Sequence, residues 1–377
     1  MKILHTSDWH VGRTIRGRSR AGEHRDVLAE IARIAGEEAA DLVLVAGDVF
    51  DAAAPTAESE RIVYRALLDL AEAAPVVIVA GNHDDPRRLA AVAPLLELGR
   101  VRVASFVTRP DDGGVIHGVG GPVRLALLPW QNQRGIVSAA DLMDKEASDQ
   151  EADFEGRMRR VVAGLCAGMS PDTINVVVGH LTVHGALDSG SERSAQLFRY
   201  GVGTRTFPGE LSYVALGHFH RQQRIAAAAP LWYSGSPLQL DFGEAGQDKG
   251  VLLVEAEPGL PAQVRSVPLE SGRRLVRLSG TLDQVSAAAA DLGDAFVKVE
   301  IDEPARAGLA DEVREAVPAA VDVVLAAAAM HAPRRAAARR IGRDPLALFS
   351  EYLESVGVDD PRLASLFEDL LDEVHDG

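Results

Sequence analysis

A chain of 377 residues exceeds the roughly 250–300 that a single hydrophobic core sustains, so more than one domain is expected. Its 47% hydrophobic and 25% charged residues describe an ordinary globular protein, and no apolar run approaches the roughly 20 residues that a membrane-spanning helix needs. The net charge of −16 leaves a nucleic-acid partner open, because a local basic patch or bound cations can reverse the field near a site.

The chain opens on Met1-Lys2-Ile3-Leu4-His5, without the apolar stretch of a signal peptide. The single Cys166 can form no intrachain disulfide, which suits a reducing, cytoplasmic setting. Lys2–Thr6 reads as the first strand. A basic stretch from Arg13 to Arg20 follows, then helix Glu23–Glu38, strand Leu42–Ala46, helix Glu58–Ala73 and strand Val76–Ala80. Strand Arg124–Leu128, helix Phe154–Ala167 and strands Asn175–Gly179 and Tyr213–Leu216 continue the alternation. Leu231–Ser234, Gly250–Glu255 and Ala262–Pro268 then succeed one another as antiparallel strands would. Alternation first and hairpins later predict an α/β layered fold with mixed sheets over residues 1–268.

Beyond Pro268 the texture changes. Strand Leu275–Gly280, helix Thr281–Leu292, strand Phe296–Ile301, helix Leu309–Ala316 and strand Val321–Ala326 suggest a small separate α+β unit within residues 269–333. Residues 334–377 begin with an Arg/Ala-rich stretch carrying Arg334, Arg335, Arg339 and Arg340, then form two short amphipathic helices, Pro345–Leu353 and Pro361–Val374. Their apolar face (Leu346, Phe349, Leu353, Leu366, Phe367, Leu370) is too small to hold a core alone. It needs a partner, either the chain's own body or the helices of another protein.

Five polar clusters sit where apolar strands end: Asp8-Trp9-His10, Gly47-Asp48-Val49-Phe50-Asp51, Gly81-Asn82-His83-Asp84, Gly179-His180 and Gly217-His218-Phe219-His220. In layered α/β sheets ligands gather outside the carboxyl ends of strands, so clusters delivered there can converge. Each cluster after the first opens with Gly, which lets the backbone turn without a Cβ in the way. Asp, His and Asn form an oxygen and imidazole donor set with no thiolate, suited to Mn²⁺, Fe²⁺ or Zn²⁺. Singly, an Asp-x-His or a Gly-Asp turn is ordinary loop sequence; the ordered set of five, each after an apolar strand, is not. Trp9, between two candidate ligands, is expected in the site wall or in the core. His5, His24, His117, His184, His331 and His375 fall outside the motifs and read as structural or solvated. No Gly-x-x-x-x-Gly-Lys-Ser/Thr loop occurs, so no phosphate-cradling ATP site is expected in this polypeptide.

The ordered set resembles the calcineurin-like metallophosphoesterases. Within them, Met1–Arg13, Gly81–Leu89, Tyr213–Gln222 and Tyr233–Leu240 are similar to the SbcD family, the nuclease subunits of bacterial SbcCD complexes. The likeness runs over most of residues 1–268 and continues, more weakly, beyond. Asp241-Phe242-Gly243-Glu244 departs slightly from the family's Ser-rich stretch and is expected to touch no ligand. The resemblance implies two mixed β-sheets flanked by helices, a small α+β capping domain that binds DNA, and a C-terminal helical hairpin. It implies two divalent ions, manganese foremost. One is held by Asp8, His10, Asp48 and His220, the other by Asp48, Asn82, His180 and His218, with Asp48 bridging. His83 is assigned to contact the phosphate and help protonate the leaving oxygen. Asp51 is the candidate for orienting His83, with Asp84 the competing choice. The implied activity is that of a DNA double-strand 3′–5′ exonuclease and single-strand endonuclease. The implied partner is SbcC, an SMC-like ATPase docked on the hairpin, with the nuclease chains paired as a homodimer in a heterotetramer.

The runner-up is a phosphoesterase of the same fold acting on a small nucleotide or a phosphoprotein. The later units and the basic stretch after His10 favour a polymer, whose phosphates those arginines would neutralise. A scaffold without catalysis would lack ligands, and none of the family's is missing.

Overall fold

The computed structural model describes residues 1–132, 136, 154–189 and 201–326, together with scattered positions between 346 and 367. Parallel strands need long crossovers, and helices supply them. Strand β1 (Lys2–Thr6) leads through a short hairpin, β2 (Thr14–Ile15) and β3 (Arg18–Ser19), into helix α1 (Ala21–Glu37). Next come β4 (Leu42–Val45), α2 (Ala57–Ala73), β5 (Val76–Val79), α3 (Pro86–Leu98) and β6 (Val101–Ala104). β1, β4, β5 and β6 are parallel neighbours. Helix starts are set locally. The Thr56 side chain accepts from Ser59 N ahead of α2, and Asp85 accepts from Arg87 and Arg88 N ahead of α3, with Pro86 opening the first turn.

The second sheet uses β7 (Val115–His117), β8 (Val123–Leu128), β9 (Ile174–His180), β12 (Tyr213–Gly217), β13 (Gln223–Ile225) and β14 (Leu231–Tyr233). Helix α4 (Phe154–Cys166) lies between β8 and β9, and a small pair, β10 (Thr182–Val183) and β11 (Gly201–Val202), precedes β12. The chain then returns to the first sheet with β15 (Gly250–Glu255) and β16 (Gln263–Pro268). The strand orders are β16-β15-β1-β4-β5-β6 and β13-β14-β12-β9-β8-β7. The expected antiparallel succession from Leu231 to Pro268 holds for β15 and β16, which pair antiparallel, and is corrected at its first step. β14 runs parallel to β12, whereas β15 pairs antiparallel with β1 in the other sheet. The segment between them is no turn; it crosses from one sheet to the other.

Both sheets are buried on both faces, and strand alternation assigns the layers. Ile3, Leu42, Leu44, Val77 and Val79 point inward and meet Leu125, Leu127, Val176, Val178 and Tyr213 of the second sheet. Leu4, Val43 and Val45 point the other way, against Val27, Ile31, Val63 and Leu67 of α1 and α2. Val161, Val162 and Leu165 of α4 cover the far face of the second sheet. The result is helix, sheet, sheet, helix. Among the described residues no helix is long and apolar enough to cross a membrane.

Residues 275–325 form three parallel strands, β17 (Leu275–Gly280), β18 (Phe296–Ile301) and β19 (Ala320–Leu325), joined by α5 (Leu282–Ala288) and α6 (Leu309–Ala316). A core of its own joins Val285, Val297, Val299, Ile301, Leu309 and Val313. Ile15 of the first hairpin, Phe242, Leu275 and Phe296 form the apolar contact between this unit and the body. Beside it, Arg16 Nε lies 2.6 Å from the Asp322 carboxylate. The basic run at Arg334–Arg340 lies outside the described residues, as does most of the hairpin expected beyond it. Of the hairpin's described side chains, Phe349 stacks on Phe367 with ring centroids 4.1 Å apart.

Leu44 belongs to the layer between the sheets, and its truncation leaves a cavity that neither sheet can close. Leu44→Ala is expected to cost about 2–5 kcal/mol, read as a lower urea midpoint, whereas Leu260→Ala, at a position 54% exposed, should change stability by less than about 0.5 kcal/mol.

Candidate metal centre

The strands that carry the motifs are central in each sheet, and their carboxyl ends face the same space. Asp8 and His10 follow β1, Asp48 follows β4, and Asn82 and His83 follow β5; His180 ends β9, and His218 and His220 follow β12. The backbone is bent hard to do this. Asp8, His10, Asp48 and His218 all have positive φ (53°, 47°, 52° and 110°), a region that residues with a Cβ rarely occupy. Such strain persists only where surrounding structure enforces it. Here Asp8 N donates to Gly47 O at 2.9 Å and His10 N to Asp48 O at 3.0 Å, lacing the first two loops together. Two glycines make room. A Cβ on Gly81 would run into the carboxylate and backbone nitrogen of Asp48, and one on Gly47 would stand 2.5 Å from His180 Nδ1.

All seven sequence-expected ligands are brought together. Asp48 is central: its Oδ1 accepts from His83 N at 2.8 Å, and its Oδ2 lies 3.4 Å from His180 Nε2 and 3.5 Å from His10 Nε2. Asn82 Oδ1 lies 3.0 Å from His180 Nε2 and 2.9 Å from His218 Nδ1. Asp8 accepts from His218 N at 3.0 Å and from Ser7 Oγ at 2.5 Å. Ligand atoms of Asp8, His10 and His220 fall within 4.8 Å of one another, as do those of Asp8, Asp48 and His180. The grouping of His10 and Asp48 with His83 is equally tight.

The donor set fits divalent cations. His180 Nδ1 donates to the Ala46 carbonyl at 2.8 Å, so its Nε2 presents a lone pair to Asn82 Oδ1 and Asp48 Oδ2. His10 Nδ1 lies 3.2 Å from the Asp51 carboxylate without hydrogen-bond alignment, and neither of its buried ring nitrogens has a hydrogen-bond partner. Acceptors facing acceptors in a buried space require positive charge between them. Without it, protons must serve. Burial raises Asp8 to about 6, against the His180 and His220 charges beside it. Burial lowers His10 to about 4. Burial alone would lower His180 too, but Asp48 and Asp8 reverse this and carry it to about 9.

Three expectations are corrected. The Asp51 carboxylate does not orient His83; it faces His10 and, at 3.5 Å, Arg13. His83 Nδ1 is held instead by the Asp51 backbone carbonyl, at 2.9 Å. Asp84 does not fill that role either, because its buried carboxylate accepts from Phe50 N and Gly81 N and pins the turn. Glu244, in the segment expected to touch no ligand, accepts from His220 Nδ1 at 3.0 Å. The arginines of the basic stretch are largely spoken for: Arg20 is buried against Glu23, and Arg16 pairs with Asp322 and Asp241.

Other side chains settle simply. Trp9 is fully buried in the core, its indole donating to Thr6 Oγ1 at 3.0 Å. His5 meets the Tyr213 hydroxyl at 2.9 Å and His24 the Arg20 carbonyl at 3.1 Å, both away from the ligands. Trp130, which no motif marks, lies with its ring 5.0 Å from His218 and 6.1 Å from His180. Its position just past β8 is the one available signal, since every other site residue also follows a strand.

At pH 7 the His180 ring of the ion-free protein carries an extra proton, and a cation must displace it. Manganese binding should therefore release protons and tighten as pH rises toward about 9. Calorimetry in buffers of different ionisation enthalpy measures the number released; a value of zero at pH 7 would contradict this account of His180.

The chain has recognisable relatives. A family profile described as Calcineurin-like phosphoesterase matches residues 1–222. The SbcD subunit of the nuclease SbcCD from Bacillus subtilis (strain 168) is 35% identical over 282 residues, covering 74% of this chain and 72% of its own length. The protein of the same name from Rhodobacter capsulatus is 35% identical over 301 residues, covering 74% of this chain and 71% of its own. With the profile spanning more than half the chain and both nucleases matched along most of their length, this chain belongs to the calcineurin-like phosphoesterase family, among the SbcD nuclease subunits.

Proposed function

We propose that this chain is a manganese-dependent DNA nuclease that hydrolyses phosphodiesters with two ions. One ion would be held by Asp8, His10, Asp48 and His220, the other by Asp48, Asn82, His180 and His218. The observation that carries the reading is the central Asp48, whose carboxylate lies within 3.5 Å of an imidazole nitrogen from each group. When bound, such a pair supplies an activated water and compensates charge on both the attacking and departing oxygens of an in-line displacement.

The chain's own residues orient and move protons around that centre. The Asp51 carbonyl fixes the proton of His83 on Nδ1 and leaves Nε2 directed away from it, while His83 N anchors to Asp48. His83 is half-buried at the rim, placed to touch a phosphate and to give a proton to the leaving oxygen. Trp130 walls the site on the His218 side. The activities proposed are 3′–5′ exonuclease on double strands and endonuclease on single strands, in DNA repair, recombination and replication. Two relatives carry the nuclease name at 35% identity, which favours DNA over a small nucleotide or phosphoprotein.

The partner proposed is an SMC-like ATPase, SbcC, which the names of those relatives as subunits of SbcCD support. Its docking site is assigned to residues 334–377. A homodimer is also proposed. The exposed apolar side chains Leu68 on α2, Leu95 and Leu98 on α3 and Phe106 after β6 are its candidate face, since an apolar patch open to water favours association.

Purified protein should cleave labelled single-stranded DNA with Mn²⁺ and not with EDTA, and its DNA affinity should fall steeply with salt. His83→Ala is expected to keep its bound metal but lose cleavage by about 100-fold or more, on the order of one general acid. Loss of metal from that variant would instead make His83 a structural residue. Removal of residues 343–377 should abolish co-purification with the ATPase and spare metal-dependent cleavage of single strands; unchanged co-purification would refute the docking assignment.

A further inference from the structure

We propose that Glu244 is a positioning residue, which holds His220 with its proton on Nδ1 and Nε2 turned toward Asp8 and His10. This deepens the metal-centre reading above and rests on it. Glu244 is fully buried, and its two oxygens have separate tasks. Oε1 accepts from His220 Nδ1 at 3.0 Å and, more distantly, from Ser189 Oγ at 3.5 Å. Oε2 accepts from Lys249 Nζ at 2.6 Å, from Leu240 N at 3.1 Å and from Ser236 Oγ at 3.4 Å. Lys249 Nζ reaches one step further and donates to the His220 carbonyl at 3.0 Å. The same buried ion pair therefore grips His220 twice, at its ring and at its backbone.

A neutral imidazole has one proton for two nitrogens. A carboxylate accepts only, so its neighbour Nδ1 must keep the proton, and Nε2 is left with the lone pair a cation needs. His180 has backing of the same kind from the Ala46 carbonyl, and His10 Nδ1 has the Asp51 carboxylate 3.2 Å away. Glu244 differs from the Ala46 carbonyl in being charged, and from the part-exposed Asp51 carboxylate in being fully buried and clamped by a lysine. It comes from the segment that crosses between the sheets, 24 residues beyond the histidine it serves.

A glutamine at this position cannot do the same work. Lys249 Nζ and Leu240 N both donate toward Oε2, so the amide must turn its oxygen to them and its NH₂ to His220. That NH₂ would face the Nδ1–H donor to donor, even where Ser189 Oγ accepts its other proton, which favours moving the ring proton from Nδ1 to Nε2, where the cation should sit.

The test is metal binding, read independently of cleavage. In Mn²⁺ calorimetry and cobalt absorption titrations, Glu244→Gln is expected to weaken one of two sites by about 10- to 100-fold and leave the other unchanged. Glu244→Asp keeps the charge for Lys249 but withdraws the oxygen from His220, so it should show the same loss at one site with a melting temperature nearer that of the unaltered protein. In zinc-loaded, ¹⁵N-histidine-labelled protein, the His220 Nδ1 proton signal should be present and should vanish in Glu244→Gln. If both variants bind two ions with unaltered affinity and only melt earlier, Glu244 is a structural ion pair and the proposal fails. His220→Ala separates the two readings: it should lose one site, and two intact sites there would overturn the metal-centre assignment itself.

Discussion

The structure is organised around one buried carboxylate. Asp48 is 1% exposed, and the imidazole nitrogens of His10 and His180 approach the same oxygen from strands of the two different sheets. A charge taken out of water costs several kcal/mol unless it is compensated. The rest of the scaffold can be read as the means of holding that charge in place. Two sheets buried on both faces give rigid strand ends, and the left-handed backbone at Asp8, His10 and Asp48 aims the side chains inward. The missing Cβ atoms at Gly47 and Gly81 leave the volume in which donors from both sheets can meet.

Much of this is legible in the chain because ligands of this kind must sit next to strand ends. An apolar strand followed by Gly and then Asp, Asn or His is a local pattern, and Asp48, Asn82, His180 and His218 each obey it. The layers are legible for a similar reason, since runs such as Leu42–Val45 and Val76–Val79 have room for nothing but a doubly buried strand. What stays hidden depends on contacts between distant parts. Glu244 reaches His220 only because the chain between β14 and β15 folds back under the site, and no spacing encodes that. The role of Asp51 escapes sequence reasoning because its carbonyl, which has no sequence signature, takes His83 while its carboxylate turns to His10. The partners of the basic stretch are hidden similarly. Arg16 finds its partner, Asp322, 306 positions away.

The loops that build the site are also the loops that meet the small unit. The hairpin following His10 contributes Ile15 and Arg16, and the segment carrying Glu244 contributes Phe242, to one contact with Leu275, Phe296 and Asp322. Two of the four histidines grouped around Asp8 and Asp48, His10 and His220, are thus supported by segments that continue into this contact. His180 is not, since its backing comes from the Ala46 carbonyl within the body. The two halves of the centre therefore differ in what holds them: one depends on the sheets alone, the other also on the small unit.

That contact bears on how the polypeptide can be cut. Ending the chain after Pro268 would look natural, since the two large sheets are complete there. It would also uncover Ile15 and Phe242, each at most 1% exposed in the intact chain, and strip Arg16 of Asp322, the nearer of its two carboxylate partners. A minimal catalytic fragment made that way would carry a sticky apolar scar beside its own active centre, and the shortest well-behaved piece should instead extend through β19.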